Sequence, residues 1–137
     1  MKNFVTESIK TISEDKRFSL VARIKSSTNA WRGVKIFIKS THNVWMHFFF
    51  GALAIYLGFI LHISLVEWAV IILTIGLVIL SETINTAIEI DIDLTSPNYH
   101  PYARDTKDVA AGAVLISVAV AGIIGLVIFA PKIISLF

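Results

Sequence analysis

Three long apolar segments decide what this 137-residue sequence can fold into. They run from about residue 47 to 66, from 68 to 90 and from 109 to 130. A helix needs roughly 20 such residues to cross the hydrocarbon core of a bilayer. Because backbone polar groups in lipid must be satisfied within the spanning element, we predict an all-α membrane protein with three transmembrane helices. A hydrophobic content of 55% also favours a membrane protein over a soluble domain.

A basic segment precedes the first predicted span. Lys16 to Lys39 contains seven Lys or Arg and no acidic residue, and its apolar residues recur near helical spacing. We predict an amphipathic surface helix over residues 18–39, which acts either as an anchor alone or also in nucleotide or lipid contact. Residues 1–15 do not resemble a signal peptide and are predicted to be an N-terminal extension of a membrane domain over residues 16–137.

The connections between the spans differ in length and polarity. A short turn near residues 64–67 is predicted to join the first two spans into an antiparallel hairpin. The stretch 91–108 contains Ser96-Pro97-Asn98, which favours a turn, and is predicted to be a water-exposed loop. Since segments rich in Lys and Arg tend to stay on the cytoplasmic side of a membrane, the N-terminus and the 91–108 loop are expected in the cytoplasm.

Several function classes are excluded by what the sequence lacks. Without cysteine there is no disulfide framework, thiolate metal site or cysteine nucleophile. No GxxxxGK[ST] loop is present, which argues against a soluble-type nucleotide-binding fold. No nucleic acid partner is expected. His47 and His62 stand alone in the sequence and are interpreted as membrane-edge or buried polar side chains rather than ligands.

An acidic stripe occupies the end of the second span. At about 100° per residue, one helical face carries Glu82, Asn85, Glu89 and Asp93, while Asp91 points away from it. An ionisable residue inside a membrane is costly unless it faces a partner or water, so it suggests a functional site. The alternative is a purely structural polar contact between helices.

This stripe suits phosphoryl transfer to a lipid. A shallow intramembrane carboxylate such as Glu82 can accept the proton of a lipid hydroxyl. Carboxylates one or more turns nearer the water can hold Mg²⁺, which prefers oxygen ligands. Cations for the phosphates are available at the start of the third helix, where Arg104 and Lys107 lie beside Asp108. Composition alone leaves the reaction unnamed.

At these residues the chain resembles the prokaryotic diacylglycerol kinase family, and in particular its undecaprenol kinase branch. The resemblance is carried by three motifs: Glu82-Thr83-Ile84-Asn85-Thr86-Ala87-Ile88-Glu89, Ser96-Pro97-Asn98-Tyr99-His100-Pro101, and Ala103-Arg104-Asp105-Thr106-Lys107-Asp108-Val109-Ala110-Ala111-Gly112-Ala113-Val114. It implies a homotrimeric enzyme of the prokaryotic inner membrane with composite sites between subunits. Such an enzyme uses ATP and Mg²⁺ to phosphorylate a lipid alcohol, here undecaprenol in the first place and diacylglycerol in the second.

The resemblance also implies roles for individual residues. Glu82 corresponds to the catalytic base and Glu89 to a metal ligand. Asp93 is a second candidate metal ligand. The other polar residues expected around the nucleotide and lipid head group are Asn85, Arg104, Lys107 and Asp108.

One position departs from the family pattern. Where the family has Ser-Glu-Arg-Asn before the first span, this chain has Ser40-Thr41-His42-Asn43. Thr41 and His42 are poor substitutes for a carboxylate ligand of Mg²⁺. Either Asp91 or Asp93 compensates, or metal binding is weak, or activity has been lost. The alternatives to a kinase are a non-catalytic membrane oligomer of the same fold and an ion-conducting bundle.

Overall fold

A computed structural model describes residues 20–41 and 43–136 of the chain. Within them there is no strand, and the elements are four helices: α1 (Leu20–Ser40), α2 (Val44–Ile60), α3 (Leu65–Thr95) and α4 (Pro101–Ile134). The predicted all-α class is therefore confirmed. The chain divides into two units, of which the first ends at Ile36 and the second begins at Phe37. All of α2, α3 and α4 belong to the second unit.

Two helices are individually long and apolar enough to cross a bilayer, namely α3 and α4. A third candidate span is long and apolar enough only when residues 23–40 and α2 are counted together as one span. Large apolar side chains are exposed on all three helices of the second unit, as a lipid-facing surface requires; they include Phe49, Phe59, Leu73, Ile84, Leu115 and Leu126. The chain is a multi-pass integral membrane protein, and a count of three spans remains a prediction.

A tight turn joins α2 to α3. His62, just after the end of α2, adopts a positive φ of 47°, which turns the chain out of the helix. Ser64 then starts α3 with a capping box, in which its Oγ accepts from the Glu67 N–H at 3.3 Å and its own N–H donates to Glu67 Oε2 at 2.6 Å. The prediction of a span continuing to residue 66 was wrong, because α2 stops at Ile60 and Glu67 lies in the first turn of α3.

Helices α3 and α4 are joined by side-chain bridges at three levels. Near the α2–α3 turn, Lys132 Nζ lies 3.3 Å from Glu67 Oε2. In the middle of the helices, the hydroxyls of Ser81 and Ser117 are 2.7 Å apart. At the other end, Lys107 Nζ lies 2.6 Å from Asp93 Oδ1. A buried apolar cluster packs near the turn end, formed by Ile63, Ile71, Ile128 and Phe129. These bridges fix the two helices antiparallel and in register.

The stretch 91–108 is mostly helical, so its prediction as a loop was wrong. Only residues 96–100 lie between α3 and α4. Nothing before Ser96-Pro97 breaks the helix, and Pro101 occupies the first turn of α4, where its missing N–H costs nothing. Asp93 therefore lies on α3, and Lys107 lies on α4 facing it.

Gly58 marks the closest approach within the hairpin. A methyl group added there would lie 2.9 Å from Trp68 Cη2 and 3.0 Å from Ile63 Cδ1, and the Trp68 ring is itself held against Phe59 at 4.8 Å. We expect Gly58→Ala to lower the free energy of unfolding by about 1–3 kcal/mol relative to Gly76→Ala, because overpacking forces the ring to shift. At Gly76 an added methyl meets no atom within 4 Å.

Denaturant titration of both variants in mixed micelles measures this difference. Gly76→Ala is the matched control, since it makes the same change in helix propensity on a neighbouring helix. Equal midpoints for the two variants would contradict the packing described at Gly58.

Candidate functional site

The acidic stripe becomes progressively more exposed along α3. Glu82 is 4% exposed and Asn85 is 8% exposed, whereas Glu89 is half-buried and Asp93 is exposed. Asp91 is exposed as well. The stripe thus runs from a buried carboxylate inside the spanning helix toward polar groups at its end, in the order that the sequence predicts.

Asn85 links the middle of the stripe to the next turn. Its Nδ2 donates a hydrogen bond to Glu89 Oε1 at 3.0 Å, which orients that carboxylate. Its Oδ1 is buried and has no partner among the described residues. A buried oxygen left without a partner costs free energy, so this atom is suited to accept from a ligand or to coordinate a cation.

Glu82 has a partner that the sequence did not reveal. His47, in the first turn of α2, places Nε2 at 3.8 Å from Glu82 Oε2. The interpretation of His47 as a buried polar side chain agrees with its 15% exposed side chain, but its contact with Glu82 was not predicted. The two residues are 35 positions apart, and only the register of the α2–α3 hairpin brings them together.

Thr41 contacts the stripe through its hydroxyl. Its Oγ1 lies 2.7 Å from Thr86 Oγ1, and Thr86 in turn donates to the Glu82 carbonyl oxygen at 2.9 Å. Because the Thr86 hydroxyl has one proton and donates it to the Glu82 carbonyl oxygen, the Thr41 hydroxyl is the donor in its hydrogen bond with Thr86. The hydroxyl that could have replaced the missing family carboxylate is thus engaged in joining the start of α2 to α3. His42 lies outside the described residues.

The charged residues at the start of α4 form ion pairs. Lys107 Nζ contacts Asp93 Oδ1 at 2.6 Å, so the second predicted metal ligand is neutralised by a predicted phosphate-binding cation. Arg104 Nε lies 3.5 Å from Asp108 Oδ2 one turn later, and both side chains are 67% exposed. Four predicted site residues thus form two ion pairs, of which the Lys107–Asp93 pair joins the end of the stripe to α4.

Two clefts flank the stripe. The first, the α3–α4 cleft, has a volume of about 530 Å³ and is lined by Asn85, Tyr102, Asp105 and Thr106 together with small and apolar residues. The second, the apolar cleft, has a volume of about 360 Å³ and lies among α2, α3 and α4, with His47 as its only ionisable lining residue. Asn85 of the stripe thus lines the first cleft, whereas the second cleft is linked to the stripe through His47, which contacts Glu82.

A magnesium ion fits part of this site. Glu89 offers a half-buried carboxylate, and Asn85 offers the unpartnered Oδ1. Within residues 20–41 and 43–136 there is no group of three or more His, Cys, Asp or Glu side chains that could hold a metal by themselves. Mg²⁺ commonly binds through one or two carboxylates and completes its shell with nucleotide phosphates and water. A magnesium ion held at Glu89 and Asn85 would therefore need further oxygen donors from a ligand or from water.

Comparison with known proteins adds independent information. Residues 28–129 match the family model described as prokaryotic diacylglycerol kinase. An undecaprenol kinase of Bacillus subtilis is 38% identical over 120 residues, which cover 88% of this chain and 98% of the relative. A diacylglycerol kinase of Synechocystis sp. is 39% identical over 108 residues, covering 78% of this chain and 62% of the relative.

Proposed function

The chain belongs to the prokaryotic diacylglycerol kinase family, and from this premise we propose that it transfers the γ-phosphoryl group of ATP to a membrane lipid alcohol. The observation that carries the proposal is the 4% exposed Glu82 carboxylate within a spanning helix. A buried charge at that depth costs several kcal/mol unless it has a task or a partner. Accepting a proton from a lipid hydroxyl is a task that requires this depth.

In the proposed mechanism the acceptor hydroxyl oxygen attacks the γ-phosphorus while Glu82 accepts the hydroxyl proton. The bond between the γ-phosphorus and the bridging oxygen breaks, and ADP leaves with that oxygen. Lys107 and Arg104 hold the phosphates, and Asp108 fixes Arg104 through their ion pair. Positioning and charge neutralisation supply most of the catalysis in such reactions.

Magnesium belongs to this proposal as the ion carried with ATP. Glu89 and the Asn85 Oδ1 would hold it, and it would neutralise charge on the β- and γ-phosphates. Asp93 would take part only after releasing Lys107, because the two are joined at 2.6 Å. We therefore assign Asp93 and Lys107 a coupled role, in which nucleotide phosphates compete with Asp93 for the lysine.

Undecaprenol is the acceptor that we propose first. The relative matched over 98% of its length is named an undecaprenol kinase, and diacylglycerol, the acceptor in the names of other relatives, is second. The apolar cleft, lined from His47 to Phe129, offers room for part of a hydrocarbon chain of either acceptor. A chain in this cleft would bring its hydroxyl end to His47, which contacts Glu82.

The proposed enzyme is a homotrimer with its site at the cytoplasmic side. The N-terminus and residues 91–108 lie on that side in this proposal, where ATP is available. While Asp93 is paired with Lys107, a single chain supplies one carboxylate and one amide oxygen to the proposed magnesium site, which favours a site completed by a neighbouring subunit. The apolar surfaces left exposed on α2, α3 and α4 are available for that contact.

A second candidate function is favoured by one observation. Thr41 stands where the family has a carboxylate, and its hydroxyl donates a hydrogen bond to Thr86, so the proposed metal site lacks one expected ligand. A membrane oligomer that binds lipid or nucleotide without transferring phosphate would show the same fold and the same stripe.

An assay of lipid phosphorylation by the purified protein in lipid vesicles separates the two functions. With γ-labelled ATP, titrated Mg²⁺ and either undecaprenol or diacylglycerol, we expect labelled lipid phosphate, formed faster from undecaprenol. A faster reaction with diacylglycerol would reverse the order of acceptors. Absence of labelled lipid with both acceptors at every Mg²⁺ concentration would support the non-catalytic oligomer.

A further inference from the structure

His47 lies opposite the proposed catalytic base across the α2–α3 hairpin. Its side chain is 15% exposed, that of Glu82 is 5% exposed, and Nε2 and Oε2 are 3.8 Å apart. That distance permits an ion pair but is longer than a hydrogen bond. A shift of less than 1 Å would close the contact, and such contacts in unliganded sites commonly tighten when substrate binds.

No other group satisfies the Glu82 carboxylate. Thr86 donates only to the backbone carbonyl of Glu82, and none of the residues that the structure describes donates a hydrogen bond to either carboxylate oxygen. A largely buried carboxylate without a hydrogen-bond donor is destabilised. The imidazole N–H of His47 is the donor within reach.

The hairpin holds the imidazole in this place. Gly51, one turn after His47, is buried, and a methyl group added there would lie 3.4 Å from Ile75 Cγ2 on α3. The segment just before α2 also contacts α3, through the hydroxyls of Thr41 and Thr86. The position of His47 opposite Glu82 is therefore supported by contacts between the α2 and α3 sides of the hairpin before and after it in the sequence.

We propose that His47 is a positioning residue for Glu82, an inference that rests on the proposed lipid kinase function. Its Nε2–H donates to one carboxylate oxygen and fixes the direction of the other. His47 lines the apolar cleft and contacts Glu82, so the second oxygen would serve a lipid hydroxyl that lies at the His47 end of the cleft. His47 acts through Glu82 and takes no proton from the acceptor itself.

Substitutions that keep or remove the donor test this role. His47→Gln retains an N–H donor at similar reach, whereas His47→Leu has none. We expect His47→Leu to lower kcat by about 30-fold with both KM values changed less than about twofold, and His47→Gln to remain within about threefold of wild type. His62→Asn is the control, because it replaces the other histidine of the hairpin at the far end of α2 and Asn tolerates positive φ.

The pattern of kinetic constants decides the outcome. Equal loss of kcat in His47→Gln and His47→Leu would overturn the proposal, because the donor would then be irrelevant. A loss that appears in the KM for the lipid while kcat is unchanged would also overturn it, since His47 would then bind substrate rather than position Glu82.

A measurement that needs no activity separates this inference from the proposed function. In ¹⁵N-histidine-labelled protein in bilayers, the His47 ring resonances are identified by their loss in His47→Gln. We expect Glu82→Gln to shift them and Glu89→Gln to leave them in place. Unshifted resonances in Glu82→Gln would overturn the inference even if the protein is an active kinase. A shift in a protein that phosphorylates no lipid would instead overturn the proposed function.

Discussion

Glu82→Gln is expected to reduce lipid phosphorylation by about 10³-fold, within the range of 10² to 10⁴ that a general base contributes. The amide has almost the same volume as the carboxylate, so the packing around this 4% exposed side chain is retained while the proton acceptor is lost. Initial rates at saturating ATP and lipid measure the effect. Size-exclusion chromatography and helical content should match those of wild type.

Asp91→Asn is the matched control for this substitution. It makes the same acid-to-amide change on the same helix, but on an exposed side chain that points away from the stripe. We expect its rate to stay within about twofold of wild type, as is usual for surface substitutions away from a site. A Glu82→Gln variant as active as Asp91→Asn would contradict the assignment of Glu82 as the base.

Glu89→Gln is expected to cause the second-largest loss, about 100-fold at low Mg²⁺, because it removes the unpaired carboxylate proposed to hold the nucleotide-bound cation. Its hydrogen bond from Asn85, at 3.0 Å, can be kept by an amide oxygen, so the fold should not change. The rate is measured across an Mg²⁺ titration. Raising Mg²⁺ should restore part of the loss in Glu89→Gln and none of it in Glu82→Gln.

Thr41→Glu provides the complementary variant in the same titration. If position 41 belongs to the metal site, as the family pattern implies, a restored carboxylate should lower the Mg²⁺ concentration required for half-maximal rate. Loss of the Thr41 contact with Thr86 is the accompanying structural change, and Thr41→Val controls for it. An unchanged Mg²⁺ requirement in Glu89→Gln, together with an unchanged one in Thr41→Glu, would contradict this metal site.

Helical periodicity and membrane chemistry were sufficient to predict much of this protein. The spacing of Glu82, Asn85 and Glu89 placed them on one face of a helix, and the apolar segments around them indicated a membrane span. The motifs around the stripe indicated the family, which the comparisons confirm. These features are local, so neighbouring residues in the sequence determine them.

The features that sequence reasoning missed depend on contacts between distant residues. His47 meets Glu82 only because the turn at His62 and Ser64 fixes the register of two helices. The stretch 91–108 was predicted to be a loop because it is polar, yet an ion pair between Asp93 and Lys107 accompanies its helical structure. A polar segment at the end of a spanning helix can continue as a helix in water, and polarity alone does not reveal this.

The most direct test of the whole account is the initial rate of γ-phosphoryl transfer from ATP to undecaprenol, measured side by side for wild type and Glu82→Gln in the same vesicles. If Glu82 is the base of a lipid kinase, the wild-type protein forms labelled lipid phosphate and the variant forms it at a rate about 10³-fold lower. Equal rates for the two proteins, or no labelled lipid from wild type with either undecaprenol or diacylglycerol, would contradict it.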